Sequence, residues 1–539
     1  MLKEFSLPES FRPLLYRDYL AGRKQAAGFF GPHFGGLPQL GGYAENVAAS
    51  FGGDRLRMVD MLLTYNTGLG CSVKTEEQIN KLSDPRSVAV LTGQQAGLCT
   101  GPLYTVYKAI SALKLAARLE RELQRPVVPV FWTASEDHDF SEANHFWLLD
   151  RDNRLQKISL ELDHTGEPVG MLPLGKEAAG RVIEELAALT QKSEFKQDVI
   201  GLLSDTANHS ATPAEWFARI MTKLFAETGL VLFDPLLRGS RRMLAPFFLK
   251  TIERLEEAGE ALRGREQVLK SAGYPLQVER EEEASLLMYI SGKRSALYRR
   301  GSGFATRDGT AVFSREALRG LIQETPERLS PNVLLRPLAQ DSLFPTIVYI
   351  PGAGELSYFA QLLPLYNVFG LSAPVLWPRG GLTVLEPRLK RYLERYSIPE
   401  NHILNGLDGY QKKILAQKAG VDLDVVFGQL HSRIEDGYRQ VRRELSGLDG
   451  QLSSLADKNM QRVVSEIAYL RKQAEQIAKK KNETVVNHFA NLEQALLPQG
   501  RLQERVLNLF PFLIKYGPDF WQSLYEEFPS EPGHFLFYN

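Results

Sequence analysis

Two hydrophobic periods divide the chain. Short continuous apolar runs bounded by Gly and Pro mark strands covered on both faces, and apolar positions spaced by three and four mark helices. The first run is SVAVLTG, residues 87–93; a Gly-punctuated loop leads to Gly101, and PLYTVYKAISALKLAARLERELQ then repeats its apolar residues at helical spacing. VVPVFWTA from Val127 is a second run, and SEDHDFSEANHFW behind it opens on Ser135, whose N-cap chemistry predicts another helix. Two consecutive strand–helix units predict a parallel sheet. TGLVLFDP, then TIVYIPG after Pro345, then APVLWPRGG supply further strands, with a helix over about 354–370 between the last two.

Segments of other texture interrupt this core. Residues 1–86 read as a helical leader, 87–155 as the first half of the core, and 156–228 as an insertion that starts with an antiparallel hairpin over 156 to about 175. Residues 229–239 carry a core strand, and 240–330 form a second insertion of acidic helix and short strands. The core resumes over 331–421, a coiled-coil arm covers 422–496, and 497–539 return to the core. In the arm, Leu430, Ile434, Tyr438, Val441, Leu445, Leu448, Leu452 and Leu455 step by four and three; Val463, Ile467, Leu470, Ala474 and Ile477 follow after a slip at 458–460. A second helix over 460–496 would be about 55 Å long at ~1.5 Å per residue. Such a seam needs a partner, so a homodimer through the coiled coil is expected, with an intramolecular hairpin docked on the core as the alternative.

Composition narrows the class. With 44% hydrophobic and 24% charged residues in 539, the chain is too apolar to be disordered. Lys plus Arg and Asp plus Glu both number 64, so no net field draws it to nucleic acid or anionic lipid. Cys71 and Cys99 are too few for a disulfide framework or for a zinc site built on four thiolates, which suits a reducing compartment. MLKEFSLPESFRP lacks a basic n-region and an apolar core, and no window approaches the ~20 apolar residues of a membrane span. A cytoplasmic protein with neither membrane nor nucleic-acid partner is expected.

Three strand ends carry candidate chemistry. In GQQAGLCTGPLYTVYK, Gly93, Gly97 and Gly101 free the backbone to approach a ligand, and Pro102 suits the first helical position, so the helix N-terminus faces an anion. Gln94, Gln95 and Thr100 add polar contacts, and Lys108 lies about two turns in; neither GxGxxG nor a P-loop is present. A plain connecting turn is the alternative. In SEDHDFSEANH, Glu136, Asp137, His138 and Asp139 crowd ionisable groups into one turn, as acid–base work requires; simple helix capping is the alternative. His138, Glu142 and His145 would share a helical face, but HExxH is absent and no metal ligands are assigned. The third end, YIPGAGELSYFAQLLPLY, presents Glu355, Tyr358 and Gln361, Glu355 being either a dipole-favoured N-terminal residue or a ligand for a substrate ammonium. Asn332 and Arg336 precede it; Arg379 and Gly380 follow a fourth strand, and Arg501 and Arg505 could reach a nucleotide from the tail.

GQQAGLCTGPLYTVYKA, FWTASEDHDFSEANH and the run from SPNVLLRP through YIPGAGELSYFAQLLPLY to VLWPR resemble the bacillithiol biosynthesis cysteine-adding enzymes, the BshC family of cysteine ligases, over nearly the whole chain. The resemblance implies an α/β fold similar to class I nucleotidyl transferases, with a Rossmann-like parallel core, inserted segments and a dimerising coiled coil. It implies that L-cysteine is joined to the amine of glucosaminyl malate in the last step of bacillithiol synthesis. The loop 93–101 stands where such enzymes carry HIGH, and 379–381 near KMSKS, although the chain has neither signature. Amide formation needs an activated carboxyl, so ATP or another adenine nucleotide is expected. Asp137, His138 and Asp139 are the expected catalytic groups. Gln94, Gln95, Thr100, Gly101, Glu136, Asn332, Arg336, Glu355, Tyr358 and Gln361 are expected to hold substrate; Gly93, Gly97, Lys108, Arg379, Gly380, Arg501 and Arg505 the nucleotide. A Rossmann-type sugar-nucleotide or other transferase, and a non-catalytic coiled-coil scaffold, are the competing expectations.

Overall fold

Five of the apolar runs become one parallel sheet in the computed structural model, which describes residues 2–33, 35, 40–281 and 283–539. Residues 1, 34 and 36–39 of the leader and residue 282 of the second insertion lie outside the described residues. Val88–Gln94 (β1), Val127–Thr133 (β2), Val231–Phe233 (β3), Thr346–Tyr349 (β4) and Val375–Leu376 (β5) take the order β5-β4-β1-β2-β3, each neighbouring pair parallel. β2 is buried throughout and β1 at every position but its last, the pattern of strands covered on both faces. The chain builds outward from β1 to β3 and then returns to lay β4 on the other side of β1. That reversal makes the β1/β4 boundary the switch point of an open sheet, where a crevice forms beyond the carboxyl ends. Gly93 lets β1 come close to β2: a Cβ there would stand 2.9 Å from the carbonyl oxygen of Trp132. Helices Leu103–Leu123 (α1), Arg238–Glu253 (α2), Arg336–Leu343 (α3) and Ala353–Phe369 (α4) carry the side chains that matter below.

The chain divides into two compact units, one of residues 1–384 with Arg501–Asn539, the other Leu385–Gly500. The tail thus belongs with the sheet-bearing unit: Gly533–Tyr538 pairs antiparallel with Leu2–Glu4. Gly380–Leu385 joins this small sheet instead of extending the parallel one, so APVLWPRGG supplies two strands to two sheets. The second insertion forms an antiparallel sheet whose hairpin Ala284–Ser291 and Lys293–Arg300 also pairs with Leu329–Pro331.

Two further expectations need correction. No helix starts at Ser135, because the carbonyls of Ser135 and Asp137 accept from Gly170 N at 2.9 Å and Val169 N at 2.8 Å rather than from amides four residues on. A single short helix, Phe140–Ala143, follows, with Asp139 as its cap. The first hairpin lies earlier than 156–175, pairing His145–Leu149 with Leu155–Ser159. Asp150 sets that turn by accepting from the amides of Asp152 and Arg154, both at 2.9 Å.

In the second unit, Leu423–Leu445 and Gly450–Lys481 form an antiparallel hairpin, with Arg442 paired to Asp457 at 2.8 Å and Arg471 to Asp424. The seam from Leu445 through Leu448 to Leu452 is not one helix: SGLDG turns the chain, and Asp449 caps the second helix through Gln451 N. Nor is 460–496 continuous, since Asn482 leaves helical geometry and a separate helix, Glu483–Leu496, begins there. No helix among the described residues is long and apolar enough to cross a membrane.

Candidate active site

A cleft of about 750 Å³ opens at the carboxyl ends of β1, β2 and β4, on the switch point that the strand order defines. Gly93 and Gln94 end β1 there and Gln95 follows it, Glu136, Asp137 and His138 follow β2, and Glu355 and Tyr358 enter on α4. Segments far apart in the chain therefore converge on one polar crevice. Lys108, Asn332, Arg336, Arg379 and Arg505 also line it.

On the β2 side, Asp137 is held from several directions. Its Oδ2 accepts from Gln95 Nε2 at 2.7 Å, its Oδ1 from the His138 amide at 2.8 Å, and Arg294 Nη1 stands 3.6 Å from Oδ1. Burial pushes this carboxyl up, but the bonds from His138 and Gln95 and the Arg294 charge outweigh it and hold Asp137 well below the usual carboxylate range. Asp137 is thus a fixed anion and a poor proton acceptor. His138 is half exposed, with Nδ1 3.5 Å from Asp137 Oδ1 and 3.4 Å from Arg294 Nη1. Glu136 is buried, and its Oε2 accepts from Arg241 Nη2 at 2.5 Å. Arg241, fully buried on α2, has no hydrogen-bond partner for Nε or Nη1 among the described residues.

On the β4 side the groups are mutually satisfied. The Lys108 ammonium donates to Gly93 O at 2.7 Å, Gln94 Oε1 at 3.0 Å and Glu355 Oε2. Glu355 also accepts from Gly352 N at 2.7 Å, capping α4, and from Tyr349 OH at 2.6 Å. It is an N-terminal cap and the partner of Lys108 at once. Arg336 donates to Tyr358 OH at 2.5 Å and Tyr349 OH at 3.4 Å. Asn332 holds the turn that leads into α3, its Oδ1 accepting from Leu334 N at 3.1 Å and Leu335 N at 3.0 Å. Arg379 pairs with both oxygens of Glu504, which burial pushes up and Arg379 pulls below its ordinary value.

Several expected residues stand elsewhere. The loop 97–101 turns in on itself: Cys99, Thr100 and Gly101 have φ of 48°, 71° and 66°, and Asn508 Nδ2 donates to Cys99 O and Gly101 O, each at 2.7 Å. Gly97 N donates to Gln95 O at 2.8 Å, Gly101 N to Leu98 O at 2.8 Å and Leu103 N to Leu507 O at 2.9 Å, so these three amides are committed within the protein. Gly97, Thr100 and Gly101 do not line the cleft. Asp139 accepts from Glu142 N at 3.2 Å as a helix cap. Gln361 is buried, pinning the backbone of Val278 at 3.3 and 3.0 Å. Gly380 packs on Phe528 and Pro529, and Arg501 is exposed away from the crevice.

Sequence reasoning missed Arg294, Arg241, Asp234, Glu504 and Asn508. Ser135 Oγ bonds Asp234 at the end of β3, whose carboxyl burial pushes up to about 6. Nothing local distinguishes Arg294 among the four basic residues of KRSALYRR. Asp234, at the foot of a strand and before Pro235, carried the better signal. Among the described residues no group of three or more His, Cys, Asp or Glu is placed to hold a metal ion.

Residues 2–380 match the family model described as bacillithiol biosynthesis BshC, N-terminal Rossmann-like domain, and residues 382–538 match BshC, C-terminal coiled-coil domain. A "Putative cysteine ligase BshC" of Desulforamulus reducens is 33% identical over 473 residues, 87% of this chain and 87% of that protein. Its namesake in Heliobacterium modesticaldum is 37% identical over 462 residues, 85% of this chain and 84% of the relative. The one in Symbiobacterium thermophilum is 32% identical over 510 residues, 92% and 90% respectively. A solved "putative arginyl t-RNA synthetase" from Campylobacter jejuni aligns with 81% of this chain and 99% of its own at 9% identity and a TM-score of 0.22, a likeness that carries no argument. The two family matches together span both units, and the chain belongs to the bacillithiol biosynthesis BshC family.

Proposed function

We propose that this enzyme joins the carboxyl of L-cysteine to the amine of glucosaminyl malate, the last step of bacillithiol synthesis. The observation that carries the reading is the pairing of His138 with the fixed anion Asp137 in a cleft at the switch point. Family membership supports it, as do relatives named cysteine ligase. In the reaction a C–N bond forms, one cysteine carboxyl oxygen leaves with the activating group, and the attacking amine gives up a proton. His138 takes that proton, since Asp137 is held too low to accept it. Glu136, with one oxygen on Arg241 and the other without a hydrogen bond among the described residues, takes the ammonium of cysteine. The Lys108–Glu355 pair and the Arg336–Tyr358 bond keep the opposite wall rigid.

ATP is the co-substrate we assign for activation. The loop 97–101 does not line the cleft and commits its Gly97 and Gly101 amides within the protein, so the ATP phosphates are not placed and no step is routed through them. The test is reconstitution with purified protein, cysteine, glucosaminyl malate and ATP, read by mass. The amide conjugate should appear together with AMP or ADP, which distinguishes adenylate from acyl phosphate; no conjugate with any nucleotide overturns the reading. We also propose that the hairpin of the second unit pairs with a second copy, because Val441, Leu455, Tyr469, Leu470 and Ile477 are exposed along it. Light scattering on the full chain should give twice the 60.6 kDa monomer, and a monomer at micromolar concentration rejects the pairing.

A further inference from the structure

The cations of the cleft differ in how far they are committed. Lys108 gives its ammonium to Gly93 O, Gln94 and Glu355; Arg336 bonds two tyrosines; Arg379 chelates Glu504. Two remain. Arg294 comes from the inserted antiparallel sheet, and its side chain is only 9% exposed. Nε donates to Ser330 Oγ at 2.9 Å and Nη2 to Pro331 O at 2.7 Å, which fixes the guanidinium plane. Nη1 is left pointing into the cleft at the outer limit of hydrogen bonding, 3.4 Å from His138 Nδ1 and 3.6 Å from Asp137 Oδ1. Arg505 lines the same cleft, is exposed, and makes no side-chain hydrogen bond or ion pair among the described residues.

We propose that Arg294 Nη1 and Arg505 form a two-point anchor for a small dicarboxylate, one guanidinium to each carboxylate, and so select the acceptor substrate by its malyl end. The anchor deepens the reading of the cleft as the amide-forming site and rests on it. It places the carboxylate contact on two arginines with donors to give, and not on the loop 97–101, whose Gly97 and Gly101 amides are committed. A dianion suits the place better than a polyphosphate, because Glu136, Asp137 and Glu142 line the same walls and repel each added negative charge. The insertion that carries Arg294 thereby gains a role: it delivers a buried, pre-oriented guanidinium beside the proton-accepting histidine.

The test is calorimetric titration of the full-length protein with L-malate, L-lactate and ATP, using wild type, R294Q, R294K and R505Q. L-Malate should bind wild type and lose about 10–100-fold in affinity in R294Q and in R505Q, the usual effect of deleting one charge-assisted bond. R294K, which keeps the charge but not the fork, should fall between. L-Lactate should bind wild type at least tenfold more weakly than L-malate, and ATP affinity should not change in any variant. R505Q, at an exposed position, keeps the test valid where R294Q folds poorly. Unchanged malate affinity in R505Q, or no malate binding to wild type, overturns the anchor. Parallel losses for ATP and malate overturn the dicarboxylate assignment in favour of a polyphosphate. Arginine-dependent malate binding without conjugate in the reconstitution would leave the anchor standing and reject the reaction; conjugate with arginine-independent malate binding would do the reverse.

Discussion

Asp234 offers a quantitative probe of how the β2 side of the cleft is built. Its Oδ1 accepts from Ser135 Oγ and from Leu236 N at 2.8 Å, tying the end of β3 to the segment that leads into Glu136 and Asp137. Burial pushes its carboxyl from 3.8 up to about 6, against the pull of Ser135 and Arg241. Well below 3.8 the carboxyl is protonated in the folded and the unfolded chain alike. As pH rises toward 6 the unfolded chain loses its proton first, so stability falls, and above about 6 the loss is complete. The difference between the two values amounts to about 3 kcal/mol as an order of magnitude. Asp234→Asn keeps an oxygen for both donors and removes the titration. Thermal unfolding of wild type and D234N, followed by circular dichroism between pH 4.5 and 8, should show the variant gaining on wild type by a few degrees as pH rises. A constant offset across that range would refute the buried, titrating carboxyl.

Other expectations follow from contacts already described. Asn508→Ala removes the bridge between Cys99 O and Gly101 O and should cost about 2–5 kcal/mol, seen as a lower unfolding temperature, because two buried carbonyls lose their donor. Gly93→Ala places a Cβ 2.9 Å from the Trp132 carbonyl and should destabilise by about 1–3 kcal/mol, with β1 and β2 forced apart at the cleft floor. Asp137→Ala should lower conjugate formation by about 100-fold with an unfolding temperature close to wild type, since it removes the anion that orients His138.

Much of the core was legible because parallel strands buried on both faces are written as unbroken apolar runs. SVAVLTG, VVPVFWTA, TGLVLFDP and TIVYIPG all became strands of one sheet. What misled the reading was chemistry that tertiary contacts redirect. Ser135 and its acidic followers look like a helix start, yet Val169 and Gly170 occupy the carbonyls that a helix would need. The Gly-rich loop looks like an anion cradle, yet Asn508, some four hundred positions away in the chain, folds it shut. In the arm, a three-four seam carried past Leu445 because its period survives the turn, while the SGLDG signal that ends the helix went unread. Of the candidate site, the strand ends were readable from the sequence. The guanidiniums of Arg241 and Arg294 were not, because each arrives on an element whose own sequence pattern says nothing of the cleft.

We propose that the amide forms in the crevice at the β1/β4 boundary, with His138 as the proton acceptor. Single-turnover conjugate formation by His138→Ala, compared with wild type at saturating cysteine, glucosaminyl malate and ATP, tests it most directly. A fall of about 100-fold or more in a folded variant is the predicted result; turnover within a few-fold of wild type would contradict it.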